Sequence, residues 1–136
     1  MIVVDASAFV ASVMEDEFDE RTKQFCDLVI ENDELAVVPA LFYYEAANVL
    51  LKSLRRKRIE KIQYQNHLKL LLAFPLIVDE ETPVFEIALL AEKYELSFYD
   101  ATYLELAKRQ NCSLVTLDNK LAVAAKKASI ELAIQL

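Results

Sequence analysis

Short apolar runs alternate along this chain with longer stretches that repeat apolar residues at helical spacing. The runs are rich in β-branched and aliphatic residues and short enough to be buried strands. They cover residues 2–4, 35–38, 76–78 and 113–117, with 130–134 as a possible fifth strand. Strands that alternate with helices favour a parallel sheet covered on both faces. The sequence therefore predicts a three-layer α/β/α fold with a central, mostly parallel sheet of four to five short strands.

The helices have recognisable boundary signals. They are predicted over 6–14, 18–30, 40–52 (extending to 56 at most), 60–74, 84–94, 97–109 and 121–127. Asn32 and Asp33 are expected to form a turn, because in a chain without glycine these residues best tolerate a left-handed backbone. Thr82 is expected to be an N-cap, with Pro83 at the first helical position. In the helix over 60–74, the residues predicted to face inward are Ile62, Leu68, Leu71 and Leu72.

Length and composition indicate one domain over residues 1–136, with 55% hydrophobic residues to build its core. No apolar run reaches the roughly 18 residues of a membrane span. The first residues lack the features of a signal peptide. Cys26 and Cys112 are far apart and neither belongs to a CxxC pair, which argues against zinc and disulfides. We therefore expect a protein of the reducing cytoplasm.

Several classes of chemistry can be excluded. The chain has no glycine, so neither a P-loop nor a GxGxxG dinucleotide loop is present. Its single histidine, His67, has no serine or cysteine motif beside it, which argues against a catalytic triad. The net charge of −7 argues against a general basic nucleic-acid surface, but not against action on nucleic acid through metal ions and a local basic patch.

Four acids interrupt otherwise apolar stretches, where an unpaired carboxylate is costly to bury. They are Asp5, Glu45, Asp100 and Asp118. Asp5 and Asp118 directly follow predicted strands, and the carboxyl ends of parallel strands share one edge of a sheet. Carboxylates brought together there would raise one another's pKa, and a divalent cation would relieve that conflict. Oxygen ligands suit Mg²⁺ or Mn²⁺, which can assist phosphodiester cleavage.

Two of these acids, Asp5 and Asp118, also have a structural interpretation as N-caps of the helices that follow them. Ser7 could compete with Asp5 for that role. Ser97 and Asp100 have the spacing of a capping box, with Asp in place of the usual Glu. The local sequence leaves the structural and functional interpretations of these acids open.

Glu45 has a different structural alternative. It lies three residues from Asn48 on one face of a helix that is apolar nearly all round. The two polar side chains could simply reach solvent through a gap between helices.

Four short motifs surround the acids, in order along the chain. They are Val4-Asp5-Ala6-Ser7, Pro39-x-x-x-x-x-Glu45-Ala46-x-Asn48-Val49-Leu50, Tyr99-Asp100-Ala101-x-Tyr103-Leu104-x-Leu106-Ala107, and Leu114-Val115-Thr116-x-Asp118-x-x-Leu121-Ala122. Together they resemble the motifs of PIN-domain nucleases, in the branch of the VapC-type toxins. The resemblance covers essentially the whole chain and implies a PIN-like form of the predicted fold.

The resemblance implies a Mg²⁺- or Mn²⁺-dependent endoribonuclease, the toxin of a VapBC-type toxin–antitoxin module. By the same resemblance, three aspartates would hold metal directly and Glu45 directly or through water; the three are Asp5, Asp100 and Asp118. Ser7, Asn48 and Thr116 would support the acids. The family also implies a homodimer and an antitoxin that places a basic side chain in the acidic pocket. Leu117 departs from the family pattern, which has small residues there, and predicts a narrower pocket.

A basic cluster follows the third predicted helix. The candidate RNA-binding residues in it are Arg55, Arg56, Lys57 and Arg58, with Lys52 and Lys61 beside them. They could guide an RNA backbone towards the acids. The alternative is a solvated helix end, where cations complement the helix dipole.

Two other functions compete with the nuclease. The first is a catalytically inactive PIN-like domain that binds RNA or a partner, although the intact set of four acids argues against it. The second is a phosphoacceptor or a phosphatase with an Asp nucleophile. Such proteins need a second acid beside the first, whereas Asp5 is followed by Ala6 and Ser7.

Overall fold

The computed structural model describes residues 1–31 and 34–134. In this part of the chain the strands are β1 (Ile2–Val4), β2 (Ala36–Pro39), β3 (Leu76–Asp79) and β4 (Ser113–Val115). The helices are α1 (Ala6–Val13), α2 (Glu20–Cys26), α3 (Leu41–Arg55), α4 (Lys61–Ala73), α5 (Val84–Tyr94), α6 (Phe98–Arg109) and α7 (Asn119–Lys127). A π-helical turn, Asp27–Glu31, extends α2. None of these helices combines the length and the hydropathy needed to cross a bilayer.

The strands form one parallel sheet in the order β3-β2-β1-β4. The chain steps from β1 to β2 to β3 in one direction and then returns across the sheet to β4. Helices α1 to α4 pack against one another, and α6 packs against α5, α7 and the sheet. The predicted three-layer α/β/α fold with a parallel sheet is confirmed.

The two central strands, β1 and β2, form the middle of the apolar core. Every residue of β1 and β2 is buried. Phe9 of α1 meets Phe42 of α3 edge to face, with ring centroids 5.9 Å apart. The edge strand β3 is only partly covered, so Ile77 and Val78 remain exposed. Core packing of this kind fixes the ends of β1 and β4, from which the candidate site is built.

Some local predictions were wrong. In α4 the structure buries Leu71 but leaves Ile62 60% and Leu72 80% exposed. One face of α4 borders an open groove along α3 rather than the core, so a helical repeat of apolar residues does not mean that all of them are buried. Pro83 takes the N-cap position of α5 with ψ of 80°, a non-helical value. Thr82 therefore lies before the cap.

Two further predictions concern the chain's last segment and its early turn. The proposed strand over 130–134 is reduced to a single bridge between Leu114 and Leu132, flanked by two backbone hydrogen bonds to Leu114. The predicted turn at Asn32 and Asp33 lies outside the described residues.

In the part of the chain that the structure describes, four helices are followed by a residue in the left-handed backbone region. These residues are Lys57, Glu95, Asn111 and Ser129, with φ between 50° and 61°. Glycine is the usual residue for such a position, but the chain contains none. Residues with a Cβ atom therefore adopt the left-handed conformation at these helix ends.

Candidate active site

The candidate site lies at the carboxyl edge of the sheet, between β1 and β4. These strands are neighbours in the sheet. The helices that follow them belong to different layers, because α1 packs with α2 and α3 whereas α7 packs with α6. A crevice opens where two neighbouring parallel strands send their chains to opposite faces, and open α/β folds bind ligands there.

Asp5 is the most deeply buried acid of this crevice. Its residue is 6% exposed. It stands at the N-cap position of α1, but its side chain makes no capping hydrogen bond. Instead, the hydroxyls of Ser7 and Thr116 both donate to its Oδ2 atom, at 2.6 Å and 2.7 Å. Asp5 is therefore the N-cap residue by position but does not cap through its side chain, which is held by two hydroxyls at the junction of β1 and β4.

The same two hydroxyls anchor the end of β4. Ser7 Oγ accepts a hydrogen bond from the backbone N–H of Leu117 at 3.0 Å, and Thr116 Oγ1 accepts one from that of Asp118 at 3.0 Å. Each hydroxyl thus donates to Asp5 and accepts from the chain beyond β4. Ser7 and Thr116 thus both contact Asp5, and their supporting role in a functional site stays a prediction.

Asp100 and Asp118 both lie at helix starts. Asp118 Oδ1 accepts a hydrogen bond from the backbone N–H of Leu121 at 2.8 Å, so Asp118 does cap α7. Ser97 caps α6 by accepting from the backbone N–H of Asp100 at 3.0 Å. The Asp100 carboxylate makes no capping hydrogen bond to Ser97 N, so only the Ser97 half of the expected capping box is formed. Both acids line the same cavity as Asp5. For Asp118, capping α7 and lining the cavity are therefore compatible.

Glu45 enters the crevice from α3. It is half-buried, and its Oε1 atom accepts a hydrogen bond of 2.7 Å from the hydroxyl of Tyr103 on α6. Tyr103 itself is completely buried. Glu45 is therefore tied to α6 by this hydrogen bond while part of its surface stays exposed to solvent.

The four acids line one cavity of about 390 Å³, together with Ser7, Glu17 and Leu117. Leu117 lies in this lining, and a narrower pocket than the family pattern gives stays a prediction. Such a concave site with convergent polar groups is the usual form of a binding pocket. The prediction that four acids distant in sequence meet at the carboxyl edge of the sheet therefore agrees with this cavity.

Electrostatics in the cavity disfavour the ionised acids. Burial raises the pKa of Asp5 above its ordinary value; the Ser7 and Thr116 hydroxyls oppose the rise, and the charge of Asp100 adds to it. Burial also raises the pKa of Glu45, and the charges of Asp5 and Asp100 raise it further, against the Tyr103 hydrogen bond. The pKa of Asp100 is raised by burial and by Asp118, while Ser97 and Lys120 lower it. Mutual repulsion of this kind favours binding of a cation.

The donor set fits a hard divalent cation by type, since it consists of carboxylate oxygens that line one cavity. However, no three His, Cys, Asp or Glu side chains in residues 1–31 and 34–134 stand in an arrangement that could hold a metal ion. Mg²⁺ usually binds one or two carboxylates and keeps several waters, so it does not require such a group. The predicted ligand set of three aspartates stays a prediction.

Two sets of predicted residues lie elsewhere. Asn48 is exposed and lines a groove between α3 and α4, not the acidic cavity, so the structure does not support its expected role beside the acids. The basic cluster lies at the end of α3, about 15 Å along the helix from Glu45 at 1.5 Å per residue. Within it, Arg58 forms hydrogen bonds of 2.8 Å and 3.0 Å with Asp16 and is 3.4 Å from Glu17.

Sequence reasoning gave no separate role to two residues of this site. Tyr103 belongs to the motif around Asp100, but an aromatic residue in an apolar helix resembles an ordinary core residue. Its position three residues after Asp100, on the same helical face, is the signal that could have found it. Glu17 lies in the acidic stretch between α1 and α2, and nothing local distinguishes it from other surface acids.

The fold and the cavity define a class: an α/β domain with an acidic pocket at the switch point of a parallel sheet. Comparison with known proteins gives the family. The sequence model of the PIN domain matches residues 2–127, and the chain therefore belongs to the PIN-domain family. The resemblance to VapC-type members is confirmed by the relatives that follow.

Two relatives from Pyrobaculum aerophilum carry VapC names. Exonuclease VapC9 is 32% identical over 126 residues, which cover 93% of this chain and 86% of the relative. Ribonuclease VapC3 is 36% identical over 124 residues, which cover 89% and 92%. Among solved structures, the crystal structure of PAE2754 from Pyrobaculum aerophilum superposes with a TM-score of 0.72 at 32% identity, covering 90% of this chain and 78% of that one. Both named relatives are thus nucleases by name.

Proposed function

We propose that this protein is a Mg²⁺- or Mn²⁺-dependent endoribonuclease, acting as a single domain over residues 1–136 and as the toxin of a VapBC-type module. The observation that carries the proposal is the buried carboxylate of Asp5, held by two hydroxyls in a cavity that it shares with Glu45, Asp100 and Asp118. Membership of the PIN-domain family supports the same conclusion. The name of VapC3 supports RNA as the substrate.

The proposed roles of the acids follow from their surroundings. Asp5, Asp100 and Asp118 would be the direct metal ligands, with Glu45 binding directly or through water. A bound divalent cation would polarise the phosphate and lower the pKa of a water for attack on phosphorus. Ser7 and Thr116 keep Asp5 in place, and these hydrogen bonds also stabilise its ionised form.

RNA would approach along the exposed end of α3. Arg55, Arg56 and Lys57 are exposed and would attract the phosphate backbone. Arg58 has a second task, because its guanidinium pairs with Asp16 and Glu17, and Glu17 lines the acidic cavity. It therefore ties the basic cluster to the mouth of that cavity, which supports a path from one to the other.

The partners of the proposed toxin are RNA, a cognate antitoxin and a second copy of the chain, in the cytoplasm. An antitoxin that inserted a basic side chain would neutralise the repulsion among the cavity's acids. Exposed apolar side chains on α5, among them Phe85 at 83% and Leu89 at 67%, support burial of further surface in an assembly.

One observation favours a second candidate, the inactive PIN-like binding domain. No group of three acids in the described residues is arranged to hold a metal ion. Under this alternative the protein would bind RNA or a partner without cutting it. The experiment that tests the proposal must therefore separate binding from cleavage.

The test is cleavage of a panel of structured RNAs, including tRNAs, with Mg²⁺ or Mn²⁺ and with EDTA. Asp100→Asn is the test variant, and Asp27→Asn, which lies outside the cavity lining, is the matched control. We expect metal-dependent cutting by the native protein and the control, and none by Asp100→Asn. Internal fragments from RNA labelled at either end would establish an endonuclease, whereas stepwise shortening would favour the exonuclease activity in the name of VapC9. RNA binding without any cutting would refute the proposal in favour of the inactive domain.

A further inference from the structure

Tyr103 is a fully buried phenol whose hydroxyl points into the acidic site. Its residue has no exposed surface. The hydroxyl donates to Oε1 of Glu45 at 2.7 Å, across the gap between α6 and α3. Asp100 lies three residues earlier on the same helix. The ring of Tyr103 therefore occupies the core while its polar end reaches a proposed catalytic carboxylate.

The burial of this hydroxyl requires an explanation. A phenylalanine would fill the same core space without a polar atom, and a buried polar atom is costly unless it is paired. The pairing found here is with one carboxylate oxygen of Glu45. Burial and the hydrogen bond to Glu45 both raise the pKa of Tyr103, which favours the protonated phenol that donates to Glu45.

A long flexible side chain such as glutamate needs an external constraint to hold one position. Glu45 is only half-buried, so packing alone restricts it less than it restricts Asp5. In Asp5 two hydroxyls supply the constraint. For Glu45 the hydroxyl of Tyr103 is the hydrogen-bond donor to its carboxylate among the described residues. The Tyr103 hydroxyl donates to Oε1 of Glu45, and Oε2 takes no part in this hydrogen bond.

We propose that Tyr103 is a positioning residue that fixes the carboxylate of Glu45 so that its other oxygen faces the ion or its bound water. The inference rests on the proposed nuclease function and adds a residue to its machinery. It assigns Tyr103 an effect exerted through Glu45 alone. Partners that orient a metal ligand in this way commonly change metal affinity or activity by about 10- to 100-fold when they are removed.

The test is a double-mutant cycle on Mn²⁺ binding and RNA cleavage. Tyr103→Phe removes only the hydroxyl. Tyr94→Phe makes the same chemical change at the end of α5, outside the cavity lining, and is the matched control. Glu45→Ala, alone and combined with Tyr103→Phe, completes the cycle. Mn²⁺ affinity is measured by calorimetry on metal-free protein, and turnover and KM are measured on the best RNA.

We expect Tyr103→Phe to weaken Mn²⁺ binding or turnover by about 10-fold or more, with little change in KM for RNA. In the Glu45→Ala background, Tyr103→Phe should cause no further loss of Mn²⁺ affinity or turnover. An unchanged Mn²⁺ affinity and turnover in Tyr103→Phe would overturn the inference, and so would an equal loss in both backgrounds.

Two outcomes separate this inference from the function on which it rests. If the native protein neither binds Mn²⁺ nor cuts RNA, the proposed function and the inference fail together. If the native protein does both and Tyr103→Phe is unaffected, only the inference fails. Should Tyr103→Phe not fold, Glu45→Asp provides the second variant, because it keeps the charge but withdraws the carboxylate from the Tyr103 hydroxyl. Native Mn²⁺ affinity and turnover in Glu45→Asp would then contradict the inference.

Discussion

Substitution of Thr116 by valine tests whether the hydroxyl bridge beneath Asp5 stabilises the fold. Thr116 is 1% exposed, and valine nearly reproduces its shape, so the change removes a hydroxyl and adds little cavity or strain. The hydroxyl donates to the Asp5 carboxylate at 2.7 Å and accepts from the backbone N–H of Asp118 at 3.0 Å. The variant therefore removes one hydrogen bond to a charged group and one to the backbone.

The expected loss follows from these two contacts. A hydrogen bond to a charged group contributes about 1.5–3 kcal/mol. The N–H of Asp118 adds little, because Asp118 is exposed and water can replace the bond. We expect Thr116→Val to lower the free energy of unfolding by about 2–3 kcal/mol. With an unfolding entropy of about 2.1 cal/mol/K per residue over 136 residues, this corresponds to a fall in Tm of about 7–10 °C.

The assay is urea unfolding and calorimetry of metal-free protein in EDTA. Thr102→Val is the matched control, since its hydroxyl donates at 2.9 Å to the carbonyl of Phe98 on an accessible helix face. Thr102→Val should lower the free energy of unfolding by less than about 1 kcal/mol. If Thr116→Val loses no more than Thr102→Val, the bridge under Asp5 does not stabilise the fold and the reasoning is refuted.

Two further predictions concern buried charge. The pKa of Asp5 is raised in the folded protein above 3.8, so its ionisation costs folding free energy as pH rises through that higher pKa. In EDTA, the stability of Asp5→Asn relative to the native protein should therefore increase as pH rises in a urea series, and a flat or falling difference would contradict this. Arg109→Gln should lower the free energy of unfolding by about 2–4 kcal/mol. The reason is that Asp79 and Glu105, whose carboxylates lie 2.7 Å and 2.8 Å from Arg109, lose their cation. A loss below about 0.5 kcal/mol in urea unfolding would show that solvent compensates this partly exposed group.

The layer order and the meeting of the acids followed from the sequence because each depends on a strong local signal. A buried strand of a parallel sheet needs several apolar residues in succession, and Asp5 and Asp118 stand out where two such runs stop. The common direction of parallel strands then places both acids at one edge. No contact had to be known in advance for this conclusion.

Features that depend on contacts between distant segments were not predictable in the same way. Whether Asp5 caps its helix depends on Thr116, which lies 111 residues away. The exposure of Leu72 depends on whether its side of α4 meets the core or an open groove. The pairing of Arg58 with Asp16 likewise joins positions 42 residues apart. The helical period states which residues share a face but not what covers that face.

The left-handed residues after four helices influence how this chain responds to heat. A residue with a Cβ atom pays about 1–2 kcal/mol to adopt that backbone in the folded state. The same residue has fewer conformations than glycine when unfolded, so folding gives up less entropy. The steric cost is largely an energy and changes little with temperature, whereas the entropic saving enters the free energy multiplied by temperature. We therefore expect the stability of this glycine-free chain, relative to a version of the same fold with glycine at these positions, to increase as the temperature rises.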